Sequence, residues 1–261
     1  MTEKEWVLSD AHTHVGTEAE RREREEKGIV SLVCASAPEE ARILFSHDFK
    51  YLIPTCGVHP WYAHKWTLEQ MKGWMEKCPV IGEVGMDSVW CSVPLSLQED
   101  VFCRQLYMAC GWNKPVILHT KGQEKQIARM IKEYPNRYLV HWYSCEEYLE
   151  DYVSLGCYFS IGPDVMWNRA VRKVVEKVPR DRLLTETDGM EAVKWAYEEG
   201  KRVWDRQENS VSAALRETVR ETSKILGMDP GDGSRMFKEN LVSGFLKGIL
   251  WRTGDGKNFR K

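Results

Sequence analysis

The sequence predicts an α/β protein built as one closed (β/α)8 barrel, and three observations predict it. Eight short apolar runs alternate with helix-like stretches from one end of the chain to the other. The runs are continuously apolar and β-branched rather than alternating, as parallel strands covered on both faces should be. Five of the seven histidines and two carboxylates stand where such runs end. Polar side chains gathered at one end of parallel strands are how a barrel assembles a site at its C-terminal face.

In chain order, strands are expected near residues 6–13, 29–36, 51–58, 79–86, 115–120, 137–142, 157–162 and 182–187. Helices are expected over 97–110, 123–134, 146–155, 168–177, 210–226 and 234–249, the first being clearest because Val101, Phe102, Leu106 and Ala109 recur at helical spacing. The run Arg21-Arg22-Glu23-Arg24-Glu25-Glu26-Lys27 before Gly28 mixes both charge signs and reads as a solvated helix with a glycine C-cap, without chemistry. Residues 88–96 and 189–209 are less regular and are expected as loops or short helices over the barrel mouth, carrying Trp90, Trp195, Tyr197 and Trp204.

The length of 261 residues suits one large barrel, and no Pro/Gly/Ser-rich linker or repeat divides it, so residues 1–261 read as a single domain. A net charge of −2 excludes a global basic field, so no strong nucleic-acid-binding surface is expected. No G-x-G-x-x-G or G-x-x-x-x-G-K-[ST] supports a dinucleotide or nucleoside-triphosphate site. The N-terminus shows no apolar leader and the chain no membrane span, which makes a cytoplasmic protein without membrane association the expectation. The eight cysteines form no C-x-x-C pair. Cys34 and Cys56 read as core residues, and Cys91 and Cys145 as bystanders near the mouth.

The strand-end residues form a metal-ligand constellation. His12 and His14 are two apart on one strand and so point to one side, with Asp10 sharing their parity. They can grip one ion with Asp188 from the last strand. His119 and His141, from neighbouring strands, can hold a second ion, and Glu83 can bridge the two. The nitrogen and oxygen donors suit zinc, manganese, magnesium or another divalent cation. Paired ions acidify a bridging water, and Asp188 beside it is the natural proton acceptor. His47 and His64 read as surface or loop residues.

At these residues the chain resembles the TatD family of metal-dependent hydrolases, within the amidohydrolase-like barrels. Asp10-Ala11-His12-Thr13-His14 is similar to the family's D-x-H-x-H, Gly57-Val58-His59-Pro60 to its G-x-H-P, and Gly82-Glu83-Val84-Gly85-Met86-Asp87 to its G-E-[IV]-G-L-D. Gln98, Phe102, Gln105 and Leu106 match Q-x3-F-x2-Q-L. Pro115 to Thr120 is similar to P-V-x-I-H-S, His141-Trp142-Tyr143-Ser144 to H-C-F-S, and Glu186-Thr187-Asp188 to E-T-D.

The resemblance implies a TIM-type barrel, one to three divalent ions, and phosphoester hydrolysis, usually as a deoxyribonuclease with 3′-exonuclease character. It carries the ligand roles to His12, His14, Glu83, His119, His141 and Asp188. His59 would lie in the pocket, donating to a phosphate oxygen or binding a further ion. The chain departs from the pattern around the metals. Lys121 follows Thr120 where the family has arginine, which keeps the charge but loses the bidentate fork. Gly189-Met190 follows E-T-D, only Arg206 and Asn209 loosely match the segment beyond, and Trp142 and Cys145 replace small residues beside His141.

Two catalytic readings share this site. In the first, a small phosphoester or DNA end is cleaved, with Asp188, Glu83 and His59 as catalytic residues and His59 and Lys121 binding substrate. In the second, the same cluster hydrolyses a carboxylic ester, amide or lactone, such as an aminoacyl ester. Several cations at the mouth would favour phosphate, and an apolar mouth acyl chemistry. A non-catalytic binding scaffold, the third reading, predicts a lost ligand, and none is lost.

Overall fold

The computed structural model describes residues 6–203 and 210–249. Trp204, Arg206 and Asn209 lie outside the described residues. In order, the elements are β1 (Ser9–His14), α1 (Glu18–Glu26), β2 (Val30–Ala35), α2 (Pro38–Phe45), β3 (Leu52–Cys56), α3 (Leu68–Lys77), β4 (Val80–Gly85) and α4 (Leu95–Gly111). There follow β5 (Val116–His119), α5 (Glu124–Lys132), β6 (Tyr138–Val140), α6 (Leu149–Ser154), β7 (Tyr158–Ile161), α7 (Arg169–Lys177), β8 (Leu183–Thr185), α8 (Met190–Glu199), α9 (Val211–Ile225) and α10 (Pro230–Glu239).

All eight expected strands form, and they pair in parallel in sequence order from β1 to β8. This is the (β/α)8 barrel that the alternation predicts. Hydrogen bonds across the β8–β1 seam complete it: the Asp188 N–H donates to the His12 carbonyl at 3.1 Å, and the Thr187 N–H to Asp10 Oδ1 at 2.9 Å. Ala11, Leu32, Ile53, Ile117, Leu139 and Leu184, from six different strands, fill the interior, and Leu241, Phe245 and Leu246 beyond α10 pack onto the same cluster. A second, larger apolar layer lies between the strands and the helices. Burial of this kind stabilises by about 25 cal/mol per Å² of apolar surface.

Helices α2 and α3 were not among those expected. Both are short; α2 begins with Pro38 in its first turn, and a capping box between Thr67 and Gln70 opens α3. The last expected helix, 234–249, starts earlier, where Asp229 caps α10, and gives way to a π-helical turn over Asn240–Phe245.

Two β-bulges position the site. One extra residue lies between Asp10 and Thr13 in β1, and another between Ile81 and Val84 in β4. Such bulges re-aim the side chains that flank them. The first corrects the parity argument: Asp10 does not join the histidines but turns to Arg24 on α1, at 3.0 Å. Gly85 lets β4 and β5 meet, because a Cβ there would fall 1.9 Å from the His119 carbonyl oxygen.

The charged run on α1 is likewise more than a solvated face. Its Arg24 is 1% exposed, and its Nη2 donates to Asp10 Oδ2, Thr13 Oγ1 and Thr187 Oγ1, tying α1 to both sides of the seam. Glu23 accepts the Val211 and Ser212 N–H groups at the start of α9, and Glu25 accepts those of residues 50–52 before β3. No helix among the described residues is long and apolar enough to cross a membrane.

Candidate metal centre and active site

The structure brings His12, His14, His59, Glu83, His119, His141 and Asp188 together at the C-terminal mouth of the barrel. Glu83 is the centre of the cluster and is 1% exposed. Its Oε2 lies 3.3 Å from His12 Nε2 and 3.7 Å from His14 Nε2. Its Oε1 lies 2.6 Å from His119 Nδ1, 2.7 Å from His141 Nε2 and 3.5 Å from His59 Nε2. Asp188 closes the first side, with Oδ1 3.2 Å from His12 Nε2 and 3.4 Å from His14 Nε2. Glu83 thus stands between His12 and His14 on one side and His59, His119 and His141 on the other.

Local backbone aims these groups. Asp188 adopts φ 56° and the neighbouring Trp142 φ 39°, left-handed conformations that are costly for such residues and concentrate at functional sites. The Glu83 N–H donates to Cys34 Sγ at 2.8 Å, so this core cysteine also fixes the strand that carries Glu83.

The donor set fits divalent cations. His12 Nε2, Glu83 Oε2 and Asp188 Oδ1 are buried without hydrogen-bond partners among the described residues. Buried polar atoms are rarely left so, and a shared cation would satisfy all three. His12 Nε2 lies 3.3 Å from Glu83 Oε2 and 3.2 Å from Asp188 Oδ1, the spacing of donors about 2.0–2.2 Å from one ion. Three groups have the required proximity: His12, His14 and Glu83; His12, His141 and Asp188; and His59, Glu83 and His119.

The electrostatics follow from this crowding. Burial opposes ionisation of Glu83, but the fields of His141, His59, His119 and His12 outweigh it and hold its carboxyl well below the usual range. Burial likewise opposes Asp188, and the His12 and His14 rings facing its Oδ1 at 3.2 and 3.4 Å, with His141 beyond them, hold its carboxyl well below the usual range. For His12, burial and His141 disfavour the charged ring, yet Glu83 and Asp188 raise it to about 9. His59 goes the other way: burial lowers it to about 4. Its Nδ1 accepts the Trp61 N–H at 3.2 Å, so the neutral ring carries its proton on Nε2.

Two acidic residues at the site, Asp87 and Glu186, lie inside the sequence motifs without being among the expected ligands. Asp87 accepts from His119 Nε2 at 2.9 Å, and from the Trp61 indole N–H at 2.7 Å. This fixes the ring so that its Nδ1 lone pair faces the Glu83 side. Glu186 faces His141 Nδ1 at 3.7 Å and accepts the Ser160 hydroxyl at 2.8 Å. The signal for both was available: a second carboxylate within four residues of each proposed ligand carboxylate.

Around the cluster opens a cavity of about 520 Å³. Lys121 reaches it, donating to Ser144 Oγ at 3.0 Å with its Nζ 4.4 Å from the Trp90 ring centroid. Trp90 and Trp195 line the cavity as expected, joined by Trp61, Tyr62 and Trp142. Tyr197 does not: it is 3% exposed, and its hydroxyl donates to Glu217 on α9. Cys91 donates to the Pro60 carbonyl and accepts from the Val93 N–H and the Gln98 amide, while Cys145 accepts the Glu147 N–H. His47 and His64 are exposed, as anticipated.

A parallel eight-stranded barrel carrying this cluster at its mouth defines the class of metal-dependent barrel hydrolases. The chain belongs to the family of TatD-related DNases, whose model matches residues 9–245. It is 27% identical over 204 residues to YabD of Bacillus subtilis, an uncharacterized metal-dependent hydrolase, covering 70% of this chain and 80% of that one. It is 32% identical over 172 residues to the 3′-5′ ssDNA/RNA exonuclease TatD of a Rahnella species, covering 61% and 65%. Its fold matches the crystal structure of YjjV, a TatD homolog of Escherichia coli, with a TM-score of 0.77 at 23% identity over 93% of this chain and 99% of that one.

Proposed function

We propose that the protein is a divalent-cation-dependent phosphodiesterase that shortens single-stranded nucleic acid from its 3′ end. The observation that carries this reading is the Glu83 carboxylate, divided between two groups of imidazoles with unpartnered buried donors on one side. The family and the exonuclease relative in Rahnella support the substrate class.

In this reading His12, His14 and Asp188 would hold one cation and His119 and His141 a second, with the Glu83 carboxylate shared between the two. Such cations, zinc, manganese or magnesium, would acidify a water and polarise a phosphoryl oxygen. Asp188, kept ionised beside His12 and His14, accepts the proton of the attacking water. Neutral His59 donates its Nε2–H to a non-bridging phosphate oxygen, and the Lys121 ammonium offsets charge on the leaving side. Asp87 holds His119 in the tautomer this arrangement needs. A cytoplasmic setting belongs to the same reading and is supported by eight cysteines that are free thiols.

One observation favours a second reading. Among the described residues lining the cavity, Lys121 is the one lysine or arginine, while five are tryptophan or tyrosine. A mouth of this kind also suits a carboxyl ester. Yet aromatic faces are equally the platform on which bases of single strands stack, so they do not count against nucleic acid. The test is to reconstitute the protein with zinc, manganese or magnesium and assay 3′-labelled single-stranded DNA, p-nitrophenyl phosphodiesters and carboxyl esters, with Asp188→Asn as the blank. Turnover of phosphodiesters that is lost in Asp188→Asn is the expected result. Turnover of carboxyl esters alone would overturn the reading.

A further inference from the structure

One wall of the cavity contains chemistry that the hydrolytic cluster does not use. Trp195 on α8 lies at the centre of a tryptophan group, its ring centroid 6.2 Å from Trp90, 6.1 Å from Trp142 and 6.3 Å from Trp167, each packed edge to face. Trp195 remains 41% exposed. Trp142 is seated on Gly162, where a Cβ would fall 2.5 Å from its ring. The Trp167 indole donates to the Ala196 carbonyl at 2.8 Å and so locks the wall to α8. Exposed aromatic surface held this firmly is poised to stack on a flat ligand.

Beside the wall lies Asp164, between β7 and α7, lining the same cavity and only 1% exposed. Its Oδ2 accepts the Asn168 amide at 2.7 Å, while its Oδ1 is buried without a hydrogen-bond partner among the described residues. Asn168 is spent on positioning, since its Oδ1 already accepts the Ala170 N–H. Burial raises the Asp164 carboxyl to about 6 despite Trp142 and Asn168, so the ionised group is costly to maintain near neutral pH. A cavity of about 520 Å³ is of the size that holds small-molecule ligands.

The geometry points to a base-reading subsite, in which a nucleobase stacks on Trp195 and Trp142 while Asp164 Oδ1, left outside the Asn168 bond, accepts from an exocyclic amino group. Cytosine, adenine and guanine carry such a group; thymine and uracil present a carbonyl in the corresponding place. The subsite therefore selects amino-bearing bases next to the cleaved bond. This inference rests on the nucleic-acid reading of the hydrolytic site and names which nucleotides that site prefers.

The test uses two readouts. Quenching of tryptophan fluorescence in cation-free protein measures binding of dCMP and dTMP, and single-turnover assays of reconstituted protein compare DNA strands ending in 3′-C and 3′-T. The wild type is expected to favour dCMP and 3′-C by about 5- to 100-fold. Asp164→Asn should bring that ratio to one or below while keeping dTMP affinity. Trp195→Ala should weaken both nucleotides by about 5- to 100-fold, and Trp195→Phe should restore them. Equal affinity for dCMP and dTMP in the wild type, or a preference that survives Asp164→Asn, would overturn the subsite. Hydrolysis of DNA without base preference removes the subsite and leaves the nuclease reading intact. The expected dCMP binding without DNA hydrolysis does the reverse.

Discussion

Glu83 Oε2 lies 3.3 Å from His12 Nε2, and among the described residues neither buried atom has a hydrogen-bond partner. Two buried polar groups left in this state weaken the fold unless something between them satisfies both. Cation binding and stability should therefore be linked. A cation at about 100 times its Kd would stabilise by about 2.7 kcal/mol, which in a barrel of this size corresponds to roughly 5–10 °C in Tm. Thermal melts of zinc- or manganese-loaded and chelator-treated protein check this; coincident melts would count against it.

Asp188→Asn should lower turnover by at least about 100-fold while far-UV circular dichroism stays native, because the amide cannot accept the proton from water. The side chain is 22% exposed, and when it is neutralised Glu83 still faces the buried His12 ring at 3.3 Å. Activity within a few-fold of the wild type in cation-loaded variant would remove Asp188 from the role of base.

Asp87 touches His119 from the side opposite Glu83. Replacing it by asparagine leaves a single acceptor oxygen for the imidazole, the Trp61 indole and the Val89 and Trp90 N–H groups. Partners of this kind typically contribute 10- to 100-fold to metal affinity. Titration calorimetry of Asp87→Asn should show a loss of about that size in the weaker binding event, and unchanged affinities would assign Asp87 to loop structure alone.

Arg24→Met should be severely destabilising. The substitution strands the Asp10 carboxylate, 0% exposed, at the barrel seam. Breaking a buried pair from one side costs about 3–5 kcal/mol, and removing both charges costs much less. Urea denaturation of Arg24→Met and of the double variant Asp10→Asn/Arg24→Met measures the difference. A single variant within about 1 kcal/mol of the wild type would contradict the role given to this pair.

Asp164 predicts a pH-dependent gain. Its carboxyl is raised to about 6 in the folded protein by burial, above its value of 3.8 when exposed. The folded state therefore holds the proton more tightly, and ionising Asp164 costs stability above about pH 6. Asp164→Asn should stabilise by about 3 kcal/mol at pH 8, with the gain shrinking as pH falls through 6 and vanishing below about 4. A gain independent of pH would show that ionisation is not its source.

The strands and the candidate ligand cluster are legible because each rests on a short-range signal: an apolar run with a polar side chain at its end. His12, His14, His119 and His141 needed only the barrel's geometry to meet. What was illegible depended on contacts distant in sequence or on irregular backbone. Asp10 has the same parity as His12 in an ideal strand, and a single bulge sends it to the other side. Arg24 looks like its solvated neighbours in the charged run, and only packing of α1 against the β8–β1 seam distinguishes it. Trp142 departs from the family pattern beside His141, but its place on Gly162 and against Trp195 depends on β7 pairing with β6 and on α8 bringing Trp195 to the same cavity.

The claim on which the rest depends is that Glu83 joins two cation sites. Elemental analysis of protein reconstituted with zinc or manganese and freed of excess ion tests it directly, in the wild type and in Glu83→Ala. A two-ion centre predicts about two cations per chain in the wild type, and a bridging carboxylate predicts that Glu83→Ala retains one or fewer while remaining folded. An equal content in both proteins would contradict the bridge.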